Sequence, residues 1–224
     1  MRDRYNEQLK ELSDSLIHMG SLCEVAISAA MKLLLDEDEA MAEKVAVADG
    51  EIDQMEREIE QNCMKLLLLQ HPMAHDLRSI SAAMKMISDM ERIGDQAFDI
   101  AELAPHVSHS EVKNKILLKE MAVAAIRMVT DSIDSFVRRD LELAHHVMES
   151  DDVVDDYFNQ IKAKLISLLS SGTEDGEACI DLLMVAKYLE RIGDHAENIA
   201  EWVEFSITGI HKSGELKDRE RTRS

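Results

Sequence analysis

The sequence is poor in residues that interrupt helices and in residues that favour sheets. Its 224 residues include two prolines and eight glycines, and aromatic residues make up 4%. Alanine, leucine, glutamate and methionine are plentiful. Aromatic residues favour strands, whereas Ala, Leu, Glu and Met favour helices. The composition therefore predicts an all-α protein.

Positive charge is also scarce. The chain has 25 Lys and Arg against 45 Asp and Glu, which gives a formal net charge of −20. A phosphate backbone would be repelled by such a chain, so the charge argues against a nucleic-acid partner. It favours a cationic partner, either a metal ion or a basic protein surface.

Cysteines and apolar runs are few, and both indicate a cytoplasmic protein. Cys23, Cys63 and Cys179 are widely spaced, mostly among apolar neighbours, so we expect reduced core residues and no disulfide framework. No leader pattern follows Met1. The aliphatic run Leu66–Leu69 is far too short to cross a bilayer. We therefore predict no direct membrane insertion, with any membrane contact made through a partner.

One five-residue sequence occurs twice. Glu-Arg-Ile-Gly-Asp stands at 91–95 and again at 190–194, and the similarity extends over 90–102 and 189–201. Upstream, Met19–Val45 aligns with Met121–Val147. Such matching predicts a duplicated unit. We expect the first repeat to cover 1–107 and the second 108–210, with a flexible tail at 211–224.

Apolar residues recur at helical spacing through most of the chain. They predict six helices, over about 6–35, 38–70, 76–104, 111–138, 140–170 and 175–209. We expect breaks at His71-Pro72 and at Ser170–Thr173, an N-cap at Asp76, and a helix end at Pro105. Short connections predict two antiparallel three-helix bundles. One mixed six-helix bundle is the alternative.

Paired acids mark the second and third predicted helix of each half. Equal distances from the intervening turn should bring the pairs of one half side by side, so that four carboxylates converge. The two acids of each pair are four residues apart, and like charges at this spacing on a helix repel one another. A hard cation such as iron, manganese, magnesium or calcium, with zinc as a further candidate, would neutralise them. A solvated acidic face is the alternative. The candidate metal ligands are Asp49, Asp53, Glu91, Asp95, Asp151, Asp155, Glu190 and Asp194.

The glycine, arginine and histidine residues in and beside the motif have expected roles of their own. Gly94 and Gly193 indicate a close approach of a neighbouring backbone or a ligand, or ordinary helix packing. Arg92 and Arg191 are expected to pair with adjacent acids in a structural role. His195 is expected to be a surface histidine, with metal ligation as the alternative.

The two motifs, the repeated three-helix plan and Pro-Met-Ala-His-Asp-Leu-Arg at 72–78 together resemble the PhoU family of bacterial phosphate-signalling accessory proteins. The resemblance covers roughly residues 8–209. It implies a cytoplasmic protein of two three-helix bundles, often a homodimer, with multinuclear iron or zinc clusters on its acidic motifs. It implies action on a phosphate ABC transporter, including its ATPase, and on a membrane sensor kinase. Such a protein keeps the phosphate-starvation response off when phosphate is plentiful.

That resemblance assigns residues and also leaves a difference between the halves. Glu91, Asp95, Glu190 and Asp194 match the Glu-x-x-x-Asp positions of the family, and the other four candidate acids match the pairs on the preceding helices. The first half has Phe98 and Asp99 where the second has Glu197 and Asn198. The two metal sites are therefore expected to differ in nuclearity or occupancy.

Two other functions compete with the family prediction. A carboxylate-bridged di-metal enzyme would use two Glu-x-x-His motifs in a bundle core. The chain has one such match, Glu142–His145, away from the acidic pairs. We predict no catalytic residues and no enzyme activity. The stronger alternative is a metal-free acidic helical adaptor.

Overall fold

The computed structural model describes residues 2–69, 74–172 and 175–210, and these residues are predominantly helical. The six α-helices are α1 (Arg2–Asp36), α2 (Ala40–Leu69), α3 (Ala74–Val107), α4 (Leu118–Arg138), α5 (Leu141–Ser171) and α6 (Gly176–Thr208). A short 3-10 helix, Glu111–Lys115, connects α3 to α4. The all-α prediction is confirmed.

The helices pack in two sets of three. α1, α2 and α3 contact one another, as do α4, α5 and α6, and the sets are joined where α3 packs on α6 and α1 packs on α4. Asp89 of α3 contacts His195 of α6, and His106 further along α3 contacts Asp181 earlier in α6. The two helices therefore run antiparallel. The predicted pair of three-helix bundles is confirmed, while the boundary between 107 and 108 stays a prediction.

A single apolar core runs through both bundles. Equivalent positions of the repeat are buried alike: Met90 and Leu189 are both fully buried. The three cysteines are free and buried, as predicted. Because burying these apolar side chains is the main stabilising contribution to folding, the continuous core ties the two halves together.

Both predicted boundaries of α3 are wrong. Asp76 lies inside the first turn of α3, where its charge is favourable at the helix N-terminus, instead of capping it. Pro105 lies within α3, which continues to Val107. A proline in the last turn removes one backbone hydrogen bond, and the fully buried Val107 holds that turn against the core.

The start of the fourth predicted helix is also wrong. Residues 111–115 form the 3-10 helix, and α4 begins at Leu118. The Ser110 side chain accepts a hydrogen bond from the backbone N–H of Val112. The buried Lys113 ammonium donates to Glu37, 2.6 Å away, and to the Ser108 carbonyl. A buried lysine needs such partners, and these contacts hold the segment in a tighter turn.

The helix starts of the second hairpin agree with prediction. Asp140 caps α5 by accepting from the N–H of Leu143, and Asp175 caps α6 by accepting from the N–H of Glu177. Gly172 ends α5 with a φ of 66°, a conformation that favours glycine. The predicted break at His71-Pro72, part of the predicted turn at Ser170–Thr173, and the predicted tail lie outside the described residues.

Within α1, the stretch Glu7–Asp36 is long and apolar enough to cross a membrane, with a mean hydropathy of 1.3 in its most apolar part. Of that part, 61% is buried inside the protein. Core helices of soluble proteins have the same length and composition. The stretch is weak support for a span.

Candidate metal centre

The first acidic cluster lies in the groove between α2 and α3. Asp49 and Asp53 come from α2, and Glu91 and Asp95 from α3. Burial raises the pKa of Asp49, and the charges of Asp53, Asp95 and Asp99 raise it further. Burial likewise raises the pKa of Glu91, together with the charges of Asp95 and Asp53 among others. The four carboxylates therefore repel one another across the two helices.

The second cluster repeats this arrangement between α5 and α6. Burial raises the pKa of Asp151 to about 7, and the charges of Glu197, Asp194, Asp155 and Glu190 contribute. Partial loss of hydration also raises the pKa of Asp194, again with contributions from Glu190 and Asp155. The structure thus brings together all eight acids predicted from sequence, four in each half.

The glycine in each motif lets the facing helix come close. A Cβ on Gly94 would lie 3.1 Å from Ile52 Cδ1 and 3.3 Å from Asp49 Oδ1. A Cβ on Gly193 would lie 3.2 Å from Asp151 Oδ1 and 3.3 Å from Val154 Cγ1. In both halves the space of the missing side chain is therefore filled by the acid of the neighbouring helix and the apolar residue one turn later.

Some of the acidic side chains are less exposed than side chains opposite the apolar face of a helix would be. The side chains of Glu190 and Glu91 are 13% and 21% exposed, whereas that of Asp53 is 43% exposed. At helical spacing these acids fall nearly opposite the apolar face of their helices, which predicts exposed side chains, and this prediction is wrong for the more sheltered members. Each cluster therefore extends along its groove from side chains near the apolar core to side chains exposed to solvent.

Each cluster already contains a basic partner. Arg92 lies 3.4 Å from Glu91 and 3.0 Å from Asp95, as predicted. In the second cluster the partner is Lys187, which hydrogen-bonds Glu190. Arg191 instead lies near Asp99 of the other half, where its charge opposes the rise in the pKa of that carboxyl. The sequence interpretation missed Lys187, although it stands three residues before Glu190.

The donor atoms fit a hard cation, but their arrangement is not a finished metal site. Carboxylate oxygens are the ligands that hard cations prefer. Among the residues that the structure describes, no group of three or more His, Cys, Asp or Glu side chains is positioned to hold a metal ion. Coordination would require the side chains of facing helices to rotate towards one another.

His195 is a partly buried histidine. Its side chain is 24% exposed, and Nδ1 lies 2.9 Å from Asp89 Oδ1 on α3. This contact joins the two halves. The partner belongs to a helix of the other repeat, so the pattern within α6 contained no signal for it.

The Glu-x-x-His match belongs to a different region. His145 Nε2 lies 3.3 Å from Glu204 Oε1, and the His145 side chain is 49% exposed. Neither residue contributes to the pKa shifts within the acidic clusters. The di-metal enzyme therefore gains no support from the geometry.

The fold and the clusters define a class of protein: a duplicated three-helix bundle with an acidic centre in the groove of each repeat. The family model described as "PhoU domain" matches residues 16–104 and 118–203. The chain belongs to the PhoU family.

The relatives of the chain agree with this assignment over most of its length. It is 36% identical to the "phosphate-specific transport system accessory protein PhoU homolog" of Clostridium acetobutylicum, over 97% of this chain and 99% of that protein. A protein of the same description from Zymomonas mobilis is 35% identical, over 92% and 87%. The crystal structure of PhoU from Pseudomonas aeruginosa superposes with a TM-score of 0.85 at 31% identity, covering 92% of this chain and all of that one. The relatives are accessory proteins, and membership of their family confirms that this chain is not an enzyme.

Proposed function

We propose that this chain is a cytoplasmic, metal-binding negative regulator of phosphate uptake and of phosphate-starvation signalling. The names of its relatives support the link to phosphate transport. The observation that carries the metal-binding part is the convergence of four carboxylates from two facing helices in each half. A multinuclear iron or zinc cluster is the proposed occupant of each centre.

The eight acids have a defined task in this proposal. Metal ions would supply the positive charge that lets these carboxylates ionise side by side. Asp49 and Asp53 would bind from α2 and Glu91 and Asp95 from α3, with Asp151, Asp155, Glu190 and Asp194 as their counterparts. Gly94 and Gly193 keep Asp49 and Asp151 close to the facing helix, so that ligands from both helices reach one groove.

Metal content tests this proposal directly. Elemental analysis of protein purified without chelator should find more than one transition-metal equivalent per chain. Glu91→Ala with Asp95→Ala should reduce the content to that of the second half. The matched control is Asp152→Ala with Asp156→Ala, which removes the same charge at the same spacing from exposed positions on α5 and should leave the content unchanged.

A metal-free adaptor is the alternative that this experiment addresses. Arg92 and Lys187 already pair with acids of the two clusters, which is what an adaptor without metal would require. Protein that contains no metal and cannot be reconstituted with iron, zinc or manganese would leave the adaptor as the function. Thermal stabilisation by added metal that is lost in part by Glu91→Ala with Asp95→Ala, and also by Glu190→Ala with Asp194→Ala, would support the metal centre.

The proposed partners are the ATPase of a phosphate ABC transporter and a phosphate sensor kinase. Charge complementarity favours basic cytosolic surfaces on both, because the chain carries a net charge of −20. Calorimetry should show binding that weakens as salt rises. Glu197→Gln with Glu201→Gln should weaken it without unfolding the bundle. An affinity that changes neither with salt nor with these substitutions would indicate a contact on an apolar surface elsewhere.

Regulation is tested in the cell. Deletion of the gene should raise the expression of phosphate-starvation genes in phosphate-rich medium, and the wild-type chain should restore repression. Unchanged expression, in a strain without a second copy, would contradict the regulatory role.

Homodimer formation is part of the same proposal, and sedimentation equilibrium should give twice the chain mass.

A further inference from the structure

The first helices of the two repeats differ in length. Leu16 of α1 aligns with Leu118, the first residue of α4, and both side chains are fully buried. From that position α1 continues back to Arg2, whereas α4 is preceded by the 3-10 helix Glu111–Lys115 and two further residues. The C-terminal part of α5 therefore packs against α6 on one side, but beside the 3-10 helix and not beside α4 on the other.

A cavity of about 510 Å³ lies in this place. Residues 115–117 form one wall, and one side of α5 between 160 and 167 forms the other. Ile116, Leu117 and Ile161 give it an apolar lining, and Lys115 and Lys164 add positive charge. Leu117 is 37% exposed although it is a large apolar residue. The cavity therefore offers both apolar contact and cationic groups.

The sign of the charge here is opposite to that of the chain. Segments 112–119 and 157–173 contain no Asp or Glu and four lysines besides Lys113, which is buried and paired with Glu37, in a chain with a net charge of −20. The equivalent side of α2 in the first half has Glu58 where α5 has Gln160, and Asn62 where α5 has Lys164. At these two described positions the second half is therefore the less acidic and more basic of the two.

The first half shows what kind of helix packs at this end of the fold. The N-terminal part of α1 turns Leu12 and Leu16 into the core, with Leu9 partly buried against it. Away from the core, Glu7, Glu11 and Asp14 are exposed together with one lysine, Lys10. It is an acidic amphipathic helix, the chemistry that complements an apolar cavity flanked by lysines.

We propose that the cavity beside α5 binds an acidic amphipathic helix of a partner protein. Apolar side chains at helical spacing would enter the space lined by Ile116, Leu117 and Ile161, and carboxylates beside them would contact Lys115 and Lys164. This site lies apart from the acidic clusters and takes a partner of opposite charge to the basic surfaces proposed for them. It depends on neither metal nor phosphate signalling.

A pair of model peptides tests the proposal with the full chain. One 18-residue peptide carries Leu at i, i+3, i+4 and i+7 and Glu on the other face, and the other has the same composition in scrambled order. Fluorescence anisotropy should show saturable one-to-one binding of the amphipathic peptide alone. No saturable binding, or equal binding of the scrambled peptide, would overturn the proposal.

Charge reversal identifies the surface. Lys115→Glu with Lys164→Glu should weaken binding by about tenfold or more. Lys44→Glu with Lys65→Glu, which makes the same change at exposed positions on α2, should leave it unchanged. Leu117→Asp should also weaken binding, while its carboxylate is well suited to the N-cap of α4, so the fold should survive. Equal weakening by the two double variants would contradict the proposed site.

Two other occupants give distinct results. Sedimentation equilibrium would show a lower mass for Lys115→Glu with Lys164→Glu if the cavity holds a second copy of the chain. Phosphatidylserine vesicles would bind the wild type but not this variant if the cavity contacts lipid. Either result without peptide binding would overturn the proposal.

Discussion

The two acidic clusters are built alike but are not electrostatically equal. Each has two acids on each of two facing helices and a glycine where the helices meet. The second cluster has Glu197, whose charge adds to that of the other acids around Asp151. The first has Phe98 at the equivalent position, packed against the core. Duplication has thus kept the donor set, while flanking positions change how strongly its carboxylates hold protons: Asp99 adds charge beside Asp49, and Glu197 adds charge beside Asp151.

The arginine of the motif teaches a similar lesson. Arg92 pairs with Glu91 and Asp95 of its own cluster, whereas Arg191 lies near Asp99 across the interface between the halves. The same arginine of the motif therefore has different partners in the two halves. The reason is that the residues of α3 that face α6 differ from the residues of α6 that face α3. The comparison shows that contacts between the halves, and not the motif alone, set the local charge balance.

The largest expected effect concerns whether the halves fold together. Met90→Ala in α3 and Leu189→Ala in α6 remove equivalent fully buried side chains, and each should lower the free energy of unfolding by about 2–5 kcal/mol. Because one core spans both bundles, both variants should unfold in a single transition. Urea titration followed by circular dichroism measures the shift.

Trp202, the only tryptophan, makes this test specific to one half. It lies on α6, so its fluorescence reports on the second bundle. Met90→Ala should move the fluorescence transition as far as it moves the circular dichroism transition. A fluorescence midpoint that stays at the wild-type value would show that the halves unfold independently.

The next largest effect should come from the motif glycines. Gly94→Val and Gly193→Val place branched side chains where a Cβ alone would already come within 3.3 Å of the facing helix, so each should destabilise the fold by about 1–3 kcal/mol. Gly50→Val is the matched control, since a Cβ on Gly50 of α2 has no such neighbour within 4 Å. It should change the unfolding free energy little. Equal effects at all three positions would mean that the motif glycines are not close-approach sites.

The features that the sequence predicted correctly are those that depend on local periodicity and on the repeat. Six helical segments, their pairing in threes and the convergence of Asp49 and Asp151 with their partners all follow from spacing along one chain. It failed at Pro105, because packing of Val107 outweighs the local preference of proline. It gave no indication of the contact of His195 with Asp89, because Asp89 comes from the other repeat. Contacts between helices of different repeats have no periodic signal.

A smaller effect is expected in the pH dependence of stability. The pKa of Asp151 is about 7 in the folded chain against 3.8 for the unperturbed group, so the folded state holds this proton more tightly than the unfolded state. In metal-free protein, stability should therefore fall as pH rises from about 4 to about 7 and level off above that range. Asp151→Asn should flatten this dependence more than Asp49→Asn does, as measured by thermal unfolding in the presence of chelator. Stability that rises with pH over the same range, and does so less in Asp151→Asn, would contradict the raised pKa.

The smallest effect, an exchange of the flanking residue, addresses the difference between the clusters most directly. Glu197→Phe removes a carboxylate whose charge raises the pKa of Asp151, so that pKa should fall towards the ordinary range. Phe98→Glu places a carboxylate at the equivalent position beside the first cluster, so the pKa of Asp49 should rise. Carbon-detected NMR titration of the aspartate carboxyl groups measures both values without metal. Glu204→Phe on α6 serves as the control, because Glu204 pairs with His145 and is not among the charges that raise the pKa of Asp151. If the pKa of Asp151 stays near 7 in Glu197→Phe, burial and the charges of Asp194, Asp155 and Glu190 set it, and the residue at position 197 does not explain the difference between the halves.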